Sequence, residues 1–248
     1  MRRTPLFPTL LAAAAVAAGA PATTAQATAE PDAAPYRATY DVFIGGLRGG
    51  ELRLTVHRDG EAYAAEAALR ASGLVGAFFG AEARASATGV ESGAAPEPAR
   101  FESETRFGRE RREVAMRWEE NPSIVIEADP PLRRRRYDAP PETLRGALDP
   151  VSAAVAALTP RPVAEACGRT VPVFDSRRRF DIALGEGALD GDTLRCEGVY
   201  RRVAGYKTIT AENVDHPFTA WWTVVDGVAH FERLQTPTPI GHAVARRR

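Results

Sequence analysis

Short segments in which apolar and polar residues alternate recur along most of the chain, and this alternation restricts the fold more than any other feature. Every second residue from Tyr36 to Ile44 is apolar, and the same period of two returns between Leu52 and His57. Charged residues alternate with Phe, Ser and Thr from Phe101 to Phe107. A strand with one face on the core and the other in water produces this period. The pattern therefore indicates antiparallel strands rather than helices.

Turn signals separate these segments. Asp-Gly pairs at 59–60, 190–191 and 226–227 follow apolar runs and predict hairpin turns. Strands that recur about every 8–12 residues with turns between them are typical of sandwiches and barrels. We therefore predict a mainly β protein, a curved antiparallel sheet or open barrel of about ten to twelve strands with one short helix packed against it.

The helix is predicted in the second half of the chain. Asp149-Pro150 has the residue types favoured at the N-cap and at the first helical position, and the apolar stretch Val151 to Leu158 follows. Thr159-Pro160 predicts its end. The side to be buried consists of Val151, Ala154, Val155 and Leu158, and a curved sheet wrapped around the helix would cover it.

The N-terminal residues predict export. Arg2 and Arg3 precede the uncharged stretch Leu10 to Ala20, which is far shorter than the roughly 20 apolar residues that span a bilayer. This arrangement is typical of a Sec-type signal peptide. We expect cleavage after Ala27, because a cut after Ala20 would leave proline next to it; an uncleaved membrane anchor is the alternative. The expected location is the periplasm.

Three regions follow from this prediction. Residues 1–27 form the signal peptide, 28–35 a flexible leader and 36–248 a single β-rich domain. No later stretch is apolar enough to span a membrane as a helix, so no transmembrane segment is expected after signal removal. Without Arg2 and Arg3, the 32 basic residues fall to 30 against 32 acidic ones, a balance that does not favour nucleic acid as a partner.

Two cysteines, Cys167 and Cys196, predict one structural disulfide. Exported proteins meet an oxidising compartment, and two cysteines suffice for one bridge. A spacing of 29 is neither a metal-ligand nor a redox CxxC spacing. Free thiols and a metal pair remain the alternatives.

Several short segments resemble an exported family of uncharacterised proteins, domain of unknown function 3108. The matching residues are Gly46 to Leu52, Asp149 to Ala153, Val173 to Asp175 with Arg177 to Asp181, Cys196, and Val203 to Tyr206. The resemblance implies a periplasmic protein with a curved antiparallel sheet, and it implies no activity. Ser176 departs from the family, in which glycine usually follows the Asp of Phe-Asp, and serine tolerates a positive φ less well. A looser likeness at the level of the fold is to periplasmic lipoprotein carriers, which are curved sheets closed by helices over an apolar cavity.

Large apolar side chains are the first candidate site. The adjacent Trp221 and Trp222 must point to opposite faces of a strand. The segment between Gly73 and Gly80 is apolar and suits the lid of a cavity. We predict an apolar ligand cavity with candidate residues Leu74, Val75, Phe78, Phe79, Trp118, Trp221 and Trp222, with ordinary core packing as the alternative.

Arginine clusters are the second candidate site. The predicted anion or partner contacts are Arg133, Arg134, Arg135, Arg136, Asp175, Arg177 and Arg178. Arginine forks pair with phosphate, so these residues could bind anionic headgroups. The alternatives are a solvated loop at 133–136 and an Asp-capped hairpin at 175–178.

No catalytic, cofactor or metal motif is present. His57, His216, His230 and His242 lack a ligand spacing, and no G-x-S-x-G elbow occurs. We therefore expect a periplasmic binding or carrier protein for a lipid or another apolar molecule, with no cofactor. A structural or interaction protein of the cell envelope is the alternative, and a hydrolase with a dispersed triad is the third hypothesis.

Overall fold

Fourteen strands form one antiparallel sheet in a computed structural model that describes residues 34–73, 80–93, 95–119, 123–210 and 212–248. The mainly β class is therefore confirmed. The strands are β1 (Tyr36–Ile44), β2 (Leu47–Asp59), β3 (Ala62–Ala71), β4 (Glu82–Glu91), β5 (Pro96–Phe107), β6 (Glu110–Trp118), β7 (Ile124–Asp129), β8 (Arg161–Pro162), β9 (Arg169–Phe174), β10 (Arg179–Asp190), β11 (Thr193–Ala204), β12 (Asp215–Val225), β13 (Val228–Thr238) and β14 (Gly241–Arg247).

The sheet is open, with β7 at one edge and β9 at the other. Its order is β7-β6-β5-β4-β3-β2-β1-β14-β13-β12-β11-β10-β9, and β8 pairs with β13. The strand count exceeds the predicted ten to twelve, and one of the additional strands, Arg161–Pro162, is too short to carry an alternating pattern. Any two strands that are adjacent in this order are also consecutive in the chain, except β1 and β14. The connector between β7 and β9 runs from one edge of the sheet to the other.

The predicted hairpin turns are confirmed. Gly60 and Gly191 have φ angles of 57° and 60° and lie between paired strands. Asp226 and Gly227 both have positive φ, 51° and 77°, as two-residue hairpin turns of type I′ require. Local turn chemistry therefore sets these three hairpins.

Helix α1 (Pro150–Leu158) lies in the connector and begins where the sequence predicts. The carboxylate of Asp149 accepts hydrogen bonds from the backbone N–H of Val151 at 2.8 Å and of Ser152 at 2.9 Å. Pro150 occupies the first turn of the helix. Its lack of an N–H costs no hydrogen bond there, because the first N–H groups of a helix have no partner within the helix. At the other end the hydroxyl of Thr159 donates to Val155 O at 2.8 Å. Both ends of the helix are thus satisfied.

The sheet wraps around α1, which contacts β3, β4 and β5 on one side and β9 and β13 on the other. We call β2–β7 the N-terminal arm and β1 with β8–β14 the C-terminal arm. Each arm has its own buried cluster. The N-terminal cluster includes Leu54, Val56, Tyr63, Ala65, Ala87, Phe101 and Met116. The C-terminal cluster includes Tyr40, Leu184, Leu194, Phe218, Ala220, Trp222 and Phe231.

The predicted disulfide between Cys167 and Cys196 is confirmed, with 6.0 Å between the Cα atoms. It ties the segment after α1 to β11 of the C-terminal arm. Gly187 lies beneath it, and a Cβ there would lie 2.7 Å from Cys167 Sγ. The bridge therefore requires glycine at this position.

Candidate functional site

A cavity of about 230 Å³ lies between α1 and the C-terminal arm. Its lining is almost entirely apolar. Its lining consists of Pro150, Ala153, Ala154, Ala157 and Leu158 from the helix and Val173, Phe180, Ile182, Leu184, Phe218, Ala220, Trp222, Phe231 and Leu234 from the strands. The even-numbered positions of β10 and β12 supply six of these residues, as expected of strand faces with a period of two.

Two local irregularities shape the wall of the cavity. Gly198 on β11 faces Phe218, whose ring occupies the space where a Cβ would lie, 2.3 Å away. A β-bulge next to Trp222 shifts the register of β13, so that Phe231 stands opposite Trp222. The two rings meet edge to face, with 5.5 Å between their centroids. These irregularities give the wall its aromatic character.

Trp222 contributes one unsatisfied polar atom. The residue is 1% exposed, and its indole Nε1 has no hydrogen-bond partner among the residues that the structure describes. A buried N–H of this kind usually finds a partner. A ligand with an acceptor atom could provide one.

The structure separates the residues predicted to line the cavity. Trp222 lines it, whereas Trp221 lies on the opposite face, where the Arg233 guanidinium is 4.7 Å from the ring centroid. Trp118 packs against the N-terminal cluster and donates from Nε1 to Ala147 O at 3.2 Å. Leu74, Val75, Phe78 and Phe79 lie outside the described residues.

Sequence reasoning missed most of the aromatic wall. Phe180, Phe218 and Phe231 are not among the predicted residues, yet all three line the cavity. The alternation Phe218-Ala220-Trp222 was a usable signal for two of the positions, because residues two apart share a face. No local signal identifies Phe231, whose direction depends on the bulge.

Polar groups continue the inner face of the C-terminal arm beyond the cavity. The ring of Phe180 lies 4.7 Å from that of Tyr200, centroid to centroid, and Tyr200 lies 5.9 Å from the imidazole of His216. The hydroxyl of Tyr200 shares a hydrogen bond with that of Tyr206. Arg202 pairs with Phe180 across β10 and β11, and its guanidinium is 5.1 Å from the centroid of Tyr206.

The predicted arginine clusters meet at the turn between β9 and β10. Asp175 Oδ1 accepts from the backbone N–H of Arg177 at 3.0 Å and of Arg178 at 2.7 Å. The guanidinium of Arg177 contacts Asp138 Oδ1 at 2.9 Å and donates to Arg133 O at 3.0 Å. Arg177 therefore holds the connector in place.

The remaining arginines of these clusters face solvent. Arg133, Arg134, Arg135 and Arg136 are exposed in a stretch without regular structure. The guanidinium of Arg178 is 5.6 Å from the ring centroid of Tyr206, which Arg202 also contacts. The turn, the connector and Tyr206 thus form one basic surface.

A buried polar network anchors the start of α1. Tyr63 donates to Ser152 Oγ at 2.6 Å, and Ser152 in turn donates to the carboxylate of Asp149. Burial raises the pKa of Asp149 to about 6, although the hydrogen bonds to the carboxylate act in the opposite direction. Asp149 and Ser152 are completely buried, so this network holds the helix rather than facing a substrate.

The hydrolase hypothesis requires a hydroxyl beside a histidine. Within the part of the chain that is described, no hydrogen bond joins a Ser or Thr hydroxyl to His57, His216, His230 or His242.

Among the same residues, no helix has the length and apolar character needed to cross a bilayer.

Comparisons with known proteins identify a family but assign no activity. A β-barrel-like protein of domain of unknown function DUF1849 from Brucella abortus is similar over 86% of this chain and 95% of that chain, at 9% identity and a TM-score of 0.45. No curated protein matches the chain. A family model described as protein of unknown function (DUF3108) matches residues 36–247, nearly all of the sheet. The chain therefore belongs to the DUF3108 family.

Proposed function

We propose that this protein binds an apolar ligand in the cavity beneath α1 and does so in the periplasm. The cavity itself supports the proposal: about 230 Å³ lined by apolar side chains, with one unpaired N–H on Trp222. Dry apolar cavities of about 150 Å³ hold a benzene molecule. This cavity therefore has room for a small apolar group.

The size of the cavity limits the ligand. Pockets for drug-sized molecules usually measure about 300–1,000 Å³, so this one suits a single alkyl chain or one aromatic ring. Each methylene that leaves water contributes about 0.8 kcal/mol before the cost of association is subtracted. An eight-carbon chain should therefore bind measurably but weakly.

The disulfide supports the periplasmic part of the proposal, because such bridges persist in oxidising compartments. The signal peptide expected at residues 1–27 lies outside the described residues. Cell fractionation of the full-length chain tests this part: processed protein in the periplasmic fraction supports it, and full-length protein in the cytoplasm contradicts it.

Native mass spectrometry of the protein purified from its own periplasm tests the binding proposal. We expect an additional mass that organic extraction releases as an apolar molecule. A second measurement titrates purified protein with 1-octanol and follows tryptophan fluorescence, since Trp222 lines the cavity. Octanol should change the emission in a saturable way.

A matched pair of variants assigns the binding to the cavity. Ala157→Leu fills the cavity from the helix, and Ala183→Leu adds the same side chain on the outer face of β10. Octanol binding should be lost in the first variant and retained in the second. Equal binding in both, or none in the wild type, would contradict the proposal and favour an envelope interaction protein.

A further inference from the structure

We propose that the ligand is an anionic amphiphile, with one alkyl chain in the cavity and a phosphate headgroup at Arg202, His216 and Tyr206. This inference rests on the proposed function and names its substrate class. It follows from the way in which the inner face of the C-terminal arm changes from apolar to polar.

The cavity and the polar groups are continuous. Phe180 lines the cavity, and its ring touches Tyr200 on the neighbouring strand. Phe180 and Arg202 are direct partners across β10 and β11, and Tyr200 and His216 are partners across β11 and β12. A ligand chain that passes Phe180 therefore reaches these polar side chains without leaving the inner face.

Two buried side-chain nitrogen atoms at this end lack partners. Arg202 Nε and His216 Nε2 are buried, and neither has a hydrogen-bond partner among the described residues. Buried polar atoms are nearly always paired, so two neighbouring unpaired nitrogens indicate a missing acceptor. Arginine has no acceptor atom of its own, so the missing group must accept hydrogen bonds at Arg202.

Charge makes that acceptor an anion. The nearby carboxylates already have partners: Asp138 binds Arg177, Asp181 binds Arg179, and Asp215 binds Arg201. Asp175 accepts two backbone hydrogen bonds and lies 3.9 Å from Arg178. Within the described chain, Arg202 has no carboxylate partner.

The exposed surroundings add further positive charge. Arg178 and Arg202 both lie over Tyr206, and the exposed Arg133 to Arg136 belong to the adjoining connector. A phosphate monoester offers several acceptor oxygens, and arginine forks match them well. A cavity of about 230 Å³ suits one chain rather than two.

A series of ligands with one chain and different headgroups tests the inference. Octyl phosphate, 1-octanol and octyltrimethylammonium share the same alkyl chain, and inorganic phosphate supplies the headgroup alone. Each is titrated by isothermal calorimetry into the wild type, Arg202→Gln and Arg195→Gln. Arg195 lies on the same strand but on the outer face and is paired with Glu197, so it is the matched control.

We expect octyl phosphate to bind the wild type about tenfold or more tightly than octanol, because charge-assisted hydrogen bonds add to the same chain. Octyltrimethylammonium should bind more weakly than octanol. Arg202→Gln should remove the advantage of octyl phosphate and leave octanol binding unchanged, whereas Arg195→Gln should keep the advantage. Arg178→Gln, which alters an exposed residue, should reduce it partly and replaces Arg202→Gln if that variant does not fold.

The outcomes separate this inference from the proposed function. If octanol and octyl phosphate bind equally, the anionic headgroup is refuted and the apolar site remains. If neither binds, both proposals fail. If inorganic phosphate binds as tightly as octyl phosphate, or if Ala157→Leu does not weaken octyl phosphate, the anion site is independent of the cavity and the inference is overturned.

Discussion

The two arms of the sheet meet the same helix with side chains of different size. On β3 and β4 of the N-terminal arm the inner rows contain Ala65, Ala67, Ala85 and Ala87 beside the larger Tyr63, and α1 packs on these two strands. On the C-terminal arm the inner face has the large rings of Phe218, Trp222 and Phe231, and the cavity separates part of α1 from them. Short side chains allow a helix to approach a sheet closely, whereas bulky rings hold it away.

The arms also differ in how they hold the helix. The N-terminal arm contributes the buried hydrogen bond from Tyr63 to Ser152, and Trp118 binds the segment just before α1. The C-terminal arm contacts the last turn, where Tyr36 donates to Leu158 O at 3.0 Å and Arg169 donates to Ala156 O at 2.7 Å. The C-terminal arm also holds the segment before α1, because Leu148 N–H donates to Pro172 O and Phe174 N–H donates to Leu148 O, each at 2.8 Å. Both arms thus fix the start of the helix, and the binding space lies on the side of the C-terminal arm.

The disulfide provides the strongest way to weaken one arm alone. Replacing Cys167 and Cys196 by alanine should lower the free energy of unfolding by about 3.5 kcal/mol, since the bridge closes a loop of about 30 residues. Urea denaturation measures this loss. Hydrogen exchange should show a larger loss of protection in β11 and β13 than in β3 and β4. Equal losses in both arms would argue against separate behaviour.

Matched leucine truncations compare the packing of the arms directly. Leu54→Ala in the N-terminal cluster should cost about 3 kcal/mol, because the side chain is 1% exposed and leaves a new void. Leu234→Ala beside the cavity should cost about 1 kcal/mol, because that side chain is half-buried and already borders a void. Thermal and urea unfolding of both variants provide the values. A similar cost for the two would contradict the packing difference.

The pKa of Asp149 gives the helix anchor a characteristic dependence on pH. Burial raises the pKa of Asp149 to about 6, so the folded protein binds this proton more tightly than the unfolded chain does. The stability that protonated Asp149 contributes is therefore fully present below about pH 4 and is lost as pH rises through 6. The change in the free energy of unfolding is about 2–3 kcal/mol.

Comparison with Asp149→Asn isolates this effect. Asp41, Glu51, Glu104 and Asp215 have pKa values lowered chiefly by neighbouring arginines, and their contributions change in the opposite direction. The contributions of these four carboxylates cancel in the difference in stability between wild type and Asp149→Asn, which is measured by urea unfolding from pH 4 to 8. This difference should shift in favour of the variant as pH rises, and a constant difference would refute the raised pKa.

The smallest expected effect concerns the turn between β9 and β10. Ser176 has a φ of 81°, a region that favours glycine, and the sequence had indicated this position as a departure from the family. Ser176→Gly should therefore raise the stability by about 1 kcal/mol. Ser176→Ala is the control, since alanine keeps the unfavourable Cβ and should bring no gain. Differential scanning calorimetry distinguishes the two.

Local chemistry explains what the sequence could predict. Residue types close together in the chain predict the three Asp-Gly turns and the helix start at Asp149-Pro150. The number of cysteines, two, predicts the pairing of Cys167 with Cys196. The alternation of polar and apolar residues predicts the strands and therefore the mainly β class. These features require no knowledge of which distant segments meet.

The site depends on information that local patterns lack. Which of Trp221 and Trp222 faces inward is set by the register of β12 against its neighbours, and the direction of Phe231 is set by a bulge. The meeting of Arg177 with Asp138 joins positions 39 apart, across the connector. Side-chain polarity predicts burial, but register and helix position decide which buried residues border a cavity.

The pairing of β1 with β14 has a consequence for the order of folding. All other neighbours in the sheet order are consecutive in the chain, so β1–β7 and β9–β14 can each form as a series of local hairpins. The seam between β1 and β14 instead joins positions such as Asp41 and Arg248, which lie 207 residues apart. Closing so long a loop is entropically slow, so we expect the seam to be among the last contacts to form. Until then β1 and β14 each expose a temporary edge, and a cell would have to protect both edges from premature association.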